Sequence, residues 1–151
     1  MKWTRGAETV ERLLKEGRLE PITGAAAAGD MHLQSARAML ASAEREADHN
    51  PEAAYVLAYD AVRKAATGLL AQQALRPRQN GHHVTVEEAV RAQFNGDFHE
   101  MAALRRRRGE IEYPIAPGDN VTSEEVADAI QVSARIVAAA GTILPTLSFY
   151  R

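Results

Sequence analysis

Apolar residues recur at spacings of three and four along most of the chain, the period of helices with one buried face. Val10, Leu13 and Leu14 predict a short first helix within residues 7–19, ended by Pro21 and Gly24. Asp30 suits the N-cap of a second helix over 30–48. The inner stripe of that helix, Leu33, Ala36, Leu40, Ala43 and Ala47, is mostly small, so a neighbouring helix can approach it closely. Asn50 and Pro51 then restart the chain, one as cap and the other at the first helical position, where a missing N–H costs nothing. The third helix, 52–74, is apolar around much of its circumference. Tyr55, Tyr59, Val62, Ala66 and Leu69 form one stripe, which Leu57, Ala58, Ala61 and Ala65 widen, and this predicts the central core helix. Asp60, Arg63 and Lys64 occupy its remaining face, with Asp60 and Lys64 in position for a solvated pair one turn apart.

Residues 76–81, with Pro77, Asn80 and Gly81, predict a loop. Thr85 and Glu88 then read as a capping box opening a fourth helix to about residue 94. Asn95-Gly96-Asp97 breaks it, and Asp97 is placed to cap a fifth helix. Along that fifth helix Phe94, Phe98, Met101, Leu104, Arg108 and Ile111 keep helical spacing, which sets Arg108 inside the apolar stripe and predicts that it is partly buried. A charge taken out of water needs a partner, and Glu112 one turn on or Asp60 across the core could supply a carboxylate. Gly109 is a candidate helix end, and Tyr113 before Pro114 disfavours helical geometry, so the phenol is expected at the terminus. Thr122 and Glu125 form a second capping box, with Val121 and Val126 placed to staple it. The last stripe runs Val126, Ile130, Ser133, Val137, Ala140 and Leu144, with the Ser133 hydroxyl expected to bond back to the carbonyl of Ala129 and Pro145 ending the helix.

Composition narrows this to a fold class. A chain of 151 residues fits one domain, and 5% aromatic residues with many alanines argue against a β-sandwich and for packed helices. The expected architecture is an all-α, single up-and-down bundle of five to six helices over residues 30–147, preceded by a short helix and linker over 1–29. The absence of cysteine removes disulfides and thiolate metal sites and fits a reducing, cytoplasmic setting. Charged residues follow Met1-Lys2-Trp3-Thr4-Arg5 too closely for a secretory leader, and Asp128, Gln131 and Arg135 interrupt the most apolar segment, so no membrane partner is expected. A net charge of −2 excludes a globally basic nucleic-acid binder. Any contact with phosphate must come from a local patch, and Arg105-Arg106-Arg107-Arg108 is the candidate.

The ordered motifs then carry a resemblance. Tyr55-Val56-Leu57-Ala58-Tyr59-Asp60-Ala61-Val62-Arg63-Lys64-Ala65, followed by Gly81-His82-His83 and by Arg107-Arg108-Gly109-Glu110-Ile111-Glu112-Tyr113-Pro114, resembles actinobacterial-type members of the HEPN family, the higher eukaryotes and prokaryotes nucleotide-binding domain. The similarity spans residues 30–144. It implies an all-helical bundle, commonly a homodimer, in a family whose members include metal-independent ribonucleases of toxin–antitoxin or defence systems and non-catalytic partners of nucleotidyltransferases. The family's ribonuclease motif has four to six residues between an arginine and a histidine, often with asparagine directly after the arginine. Arg108 matches the arginine, Gly109 stands where asparagine is common, and Tyr113 stands where the histidine would be. The resemblance makes Arg108, Tyr113 and Glu112 the candidate catalytic set, Arg105, Arg107 and Arg108 the candidate nucleic-acid contacts, and Asp60 and His83 their supports. No metal or cofactor is expected; RNA, a second copy and a nucleotidyltransferase-type antitoxin are the expected partners.

Two functions stay open at this point. A phenol near its ordinary pKa of about 10 is a poorer base than an imidazole, so Tyr113 favours a binding or adaptor module without full nuclease activity. Four adjacent arginines beside an apolar stripe favour a ribonuclease with Arg108 on the scissile phosphate. Arg78 and His83 also satisfy the motif spacing, but in a loop, where chance explains it. His82 and His83 read as structural residues unless folding brings one beside Arg108 to act as the missing base. Glu46 and His49 have the Glu-x-x-His spacing of a di-iron bundle without the second copy such a site needs, and His32 and His99 read as surface residues.

Overall fold

The fold is assembled on its longest helix, α3 (Pro51–Gln72), in a computed structural model that describes residues 4–78 and 82–151. Asn50 caps α3, its side-chain oxygen accepting from the Ala53 N–H at 3.2 Å, with Pro51 at the first position as the sequence predicts. Tyr55, Tyr59, Val62, Ala66 and Leu69 are all buried, because the bundle surrounds α3 on most sides. Against it pack α2 (Asp30–Glu46), α4 (His82–Phe98), α5 (Met101–Glu112) and α6 (Ser123–Ile143), while α1 (Ala7–Lys15) packs on α4. The described residues are thus mostly helical, in six helices.

Small residues decide how closely α2 and α3 cross. Leu33, Ala36 and Ala43 of α2 are buried against α3, and the backbones of Gly29 and Gly68 nearly touch. A Cβ on Gly29 would lie 2.2 Å from the carbonyl oxygen of Gly68, and one on Gly68 would lie 2.9 Å from the Cβ of His32. His32 is accordingly half-buried beside α3 rather than a free surface residue. Asp30 sits in the first turn of α2 with Gly29 at the cap position and no side-chain cap bond, one residue from the sequence expectation.

A small antiparallel ladder was not anticipated. β1 (Leu19–Pro21) pairs with β2 (Leu75–Pro77), Glu20 opposite Arg76. Each strand is only three residues long and ends in proline, too short for a period to emerge. Val10, Leu13 and Leu19 from the N-terminal segment enter the same hydrophobic core as α3, and Tyr150 closes over it, its hydroxyl donating to the carbonyl of Ala7 at 3.2 Å.

The helices that hold the arginines depart most from the sequence expectation. α4 begins at His82, so Thr85 lies inside its first turns, buried, with its hydroxyl accepting from Arg18 Nε at 3.2 Å. Glu88 cannot reach back to cap, because Arg12 at 2.6 Å and Arg18 at 2.8 Å hold its carboxylate. The break expected at Asn95–Asp97 falls at Phe94 (φ −132°, ψ 37°), and the helix resumes through Gly96 so that Phe94 and Phe98 both reach the core. α5 starts at Met101 rather than under an Asp97 cap, and it continues through Gly109 to Glu112. Tyr113 ends it in non-helical geometry (φ −129°, ψ 73°), as the following proline requires. The turn residues Asn80 and Gly81, and Met1 to Trp3, lie outside the described residues.

Thr122 caps α6 as predicted, its hydroxyl accepting from the Glu125 N–H at 3.0 Å, but the Glu125 carboxylate, the other half of the expected capping box, binds Arg107 instead. With the turn that follows, Ser123–Thr146 is long and apolar enough to cross a membrane by length and composition alone. Here Val126, Ala129, Ile136, Val137 and Ala140 of α6 are buried in the bundle, chiefly against α3. Ser133 is buried too, but its hydroxyl makes no hydrogen bond, not even the expected one to Ala129, so its small size rather than its polarity suits the helix contact.

Candidate functional site

The arginine run sweeps around α5, and each member meets a different environment. Arg107 points to the α6 side, where its guanidinium meets Glu125 at 2.6 Å, Asp119 at 2.9 Å and Glu110 at 3.4 Å. Those contacts, first the hydrogen bond to Glu125, raise its pKa further and tie α5 to the start of α6. Arg105 reaches α4, donating to Glu87 at 2.7 Å. Arg106 is exposed, without an ion pair among the described residues. Arg108 is partly buried, its side chain 22% exposed against 16% for Arg107, and it binds Glu112 at 2.8 Å, so Glu112 rather than Asp60 supplies its carboxylate.

Beneath Arg108 lies a pair that the sequence reading did not join. Its Cζ stands 5.9 Å from the centre of the Tyr59 ring, within reach of a cation–π contact. The Tyr59 hydroxyl is 3.0 Å from His83 Nδ1, and the two rings are nearly parallel with centroids 5.7 Å apart. Arg63, one turn beyond Tyr59 on α3, adds a third guanidinium near this pair, and Asp60 lies 3.7 Å from its Nε instead of pairing with Lys64. That separation leaves Asp60 Oδ1 and Arg63 Nε buried without hydrogen bonds, and Arg108 Nε is in the same condition. Three helices therefore converge: α3 brings Tyr59, Asp60 and Arg63, α4 brings His83 and Glu87, and α5 brings Arg105 and Arg108.

The electrostatics follow from that convergence. Burial first, then Arg63, His82, Arg108 and Arg105, push His83 down to about 4, so its imidazole is neutral at physiological pH. Burial pushes the Tyr59 phenol up to about 12, so it keeps its proton. The unfolded chain, with an ordinary histidine, takes up a proton near pH 6.5 that folded His83 refuses until about pH 4. The corresponding stability is present above about pH 6.5 and is lost as pH falls toward 4. Urea midpoints measured between pH 7 and 4.5 should fall with pH, and His83→Gln should flatten that slope. His32, lowered in the same direction by burial and Lys64, would leave the residual slope. An unchanged slope in His83→Gln would contradict the assignment.

Of the residues predicted from sequence, folding joins Arg108 with Glu112 and brings Asp60, His83 and Arg105 to the neighbourhood of Arg108. It does not bring Tyr113, which is 77% exposed beyond the end of α5. Arg107 is held by three carboxylates, which leaves it poorly suited to a phosphate contact. Arg78 sits by the ladder, 3.2 Å from Glu20, in a different ion pair from those at Arg108. Tyr59 and Arg63 were missed as site residues. A tyrosine in the innermost stripe of a core helix was the available signal, since a buried phenol needs a hydrogen-bond partner. No group of three or more residues able to hold a metal ion occurs among the described residues. No protein family, curated protein or solved structure matches the chain.

Proposed function

We propose that this chain is a HEPN-like helical module that binds the phosphate groups of nucleic acid or nucleotides through Arg108, Arg63 and Arg105, as a binding or adaptor component rather than a full ribonuclease. The observation that carries it is the convergence of three guanidinium groups on the Tyr59–His83 pair, with donors on two of them lacking any acceptor. Clustered guanidinium charge beside a neutral imidazole suits an oxyanion. A base with a pKa near 4 is also a weak proton acceptor at neutral pH, which supports binding over cleavage. The resemblance to the family extends the reading to a homodimer and a nucleotidyltransferase-type antitoxin in a toxin–antitoxin or defence system.

Anisotropy of a labelled single-stranded RNA at several salt concentrations tests this. Binding should weaken steeply with salt, and Arg108→Ala should lose about tenfold in affinity and reduce the salt slope by about 1. Arg107→Ala should bind as wild type, because its charge is already neutralised. Absence of RNA binding at low salt would overturn the proposal. A second reading, a metal-independent ribonuclease, is favoured by one observation: folding sets a neutral imidazole beside Arg108. Cleavage that persists with chelator and vanishes in folded Arg108→Ala and His83→Ala would replace the first reading with this one.

A further inference from the structure

Tyr59 is fully buried, and among the described residues its hydroxyl has one hydrogen-bond partner, His83 Nδ1. Either atom could donate in that bond. If Nδ1–H donated to the phenol oxygen, the phenol proton would be buried without an acceptor, at a cost of about 1–3 kcal/mol. If the phenol donates to Nδ1, both groups are satisfied and the imidazole proton must reside on Nε2. Nε2 has no partner among the described residues and is not among the buried unsatisfied atoms, so it reaches solvent. It does so in the neighbourhood of Arg63, Arg105 and Arg108.

We propose that Tyr59 acts as a positioning residue that holds His83 in its Nε2–H form, so that His83 donates a hydrogen bond to a phosphate oxygen bound beside Arg108. This rests on the phosphate-binding reading above and deepens it: the ligand contributes an acceptor at Nε2, and His83 recognises it as a donor instead of removing a proton from it. A neutral donor beside cations suits a phosphate oxygen and tolerates both a diester and a terminal phosphate. Tyr113, exposed at the end of α5, takes no part.

Long-range proton–nitrogen spectra of the folded, labelled chain read the tautomer directly. The expected result is a protonated Nε2 and an acceptor Nδ1 for His83, with Nε2 shifting when inorganic phosphate or a short single-stranded RNA is titrated in. Tyr59→Phe, checked for folding by circular dichroism, should mix the two tautomers, a change that loss of packing alone would not produce. His83→Gln, which keeps an N–H donor, should retain RNA affinity within about threefold, whereas His83→Leu should lose about tenfold. An Nδ1–H tautomer with RNA binding intact would overturn this inference and leave the parent reading standing. So would a phosphate titration that leaves Nε2 unmoved while RNA still binds. Loss of RNA and phosphate binding by the wild type, with the Nε2–H form in place, would instead overturn the parent reading and the ligand assignment with it.

Discussion

Gly29→Ala should destabilise the fold by about 3 kcal/mol or more, the upper range for overpacking a close contact. The new methyl would sit 2.2 Å from the carbonyl oxygen of Gly68 and 2.6 Å from Leu144 Cδ1. The leucine can turn away; the carbonyl belongs to the backbone of α3 and cannot. Relief therefore requires α2 to move off α3, which opens the contact lined by Leu33, Ala36 and Ala43. Gly68→Ala should cost less, because the better helix propensity of alanine, worth up to about 1 kcal/mol, offsets part of its contacts at 2.9 Å with His32 and 3.1 Å with the Gly29 carbonyl oxygen. Gly109→Ala is the control: it lies inside α5 with open space where the methyl would go, so it should be neutral or stabilising. Thermal and urea unfolding of the three variants read the order. A Gly29→Ala protein as stable as wild type would show that the helices do not cross at this distance. The consequence reaches the site, because α3 carries Tyr59 and Arg63.

Removing one amide of the Gln73–Gln93 pair should cost about 1–3 kcal/mol, and removing both should cost clearly less than the sum. Both side chains are fully buried and bind reciprocally, Gln73 Nε2 to Gln93 Oε1 at 2.6 Å and Gln93 Nε2 to Gln73 Oε1 at 3.0 Å. Gln73→Met leaves the Gln93 carbonyl without that donor in a dry interior, while the Gln93 amide keeps only its longer bond to the Ala89 carbonyl at 3.3 Å. Gln93→Met leaves the mirror-image defect. With methionine at both positions, two apolar side chains of similar length face each other and no polar group is stranded. A double-mutant cycle by urea denaturation should return a coupling of about 1–2 kcal/mol. Additive losses would mean that the amides act independently. The pair joins the end of α3 to the middle of α4 and so fixes the two helices that bring Tyr59 and His83 together. A cooperative loss in the cycle should therefore be accompanied by a change in His83 titration.

Much of the helical framework was legible because its signals are local. Asn50 and Pro51 start α3 where their chemistry requires, Thr122 starts α6, and the buried stripe of α3 matches its period. Local signals failed where a distant residue competed for the same group. Thr85 and Glu88 have capping-box spacing, but Arg12 and Arg18, more than sixty residues earlier, occupy them instead. Gly109 has the identity of a helix terminator, yet α5 runs on to the residue before Tyr113, where the Pro114 ring intervenes.

The candidate site divides the same way. The sequence alone determined that Arg108 is partly buried, since its place in the apolar stripe of α5 is set by helical periodicity, and that Glu112 one turn on could pair with it. It also determined that any phosphate contact must be a local patch on a chain of net charge −2. Only the tertiary structure decided which groups share that patch. Tyr59 and His83 are separated by 24 positions and meet because α4 folds back on α3. Arg107 and Arg108 are neighbours in sequence, but a rotation of about 100° per residue sends one to three carboxylates and the other toward Tyr59. Periodicity states which face a residue occupies; packing alone states what lies across from it.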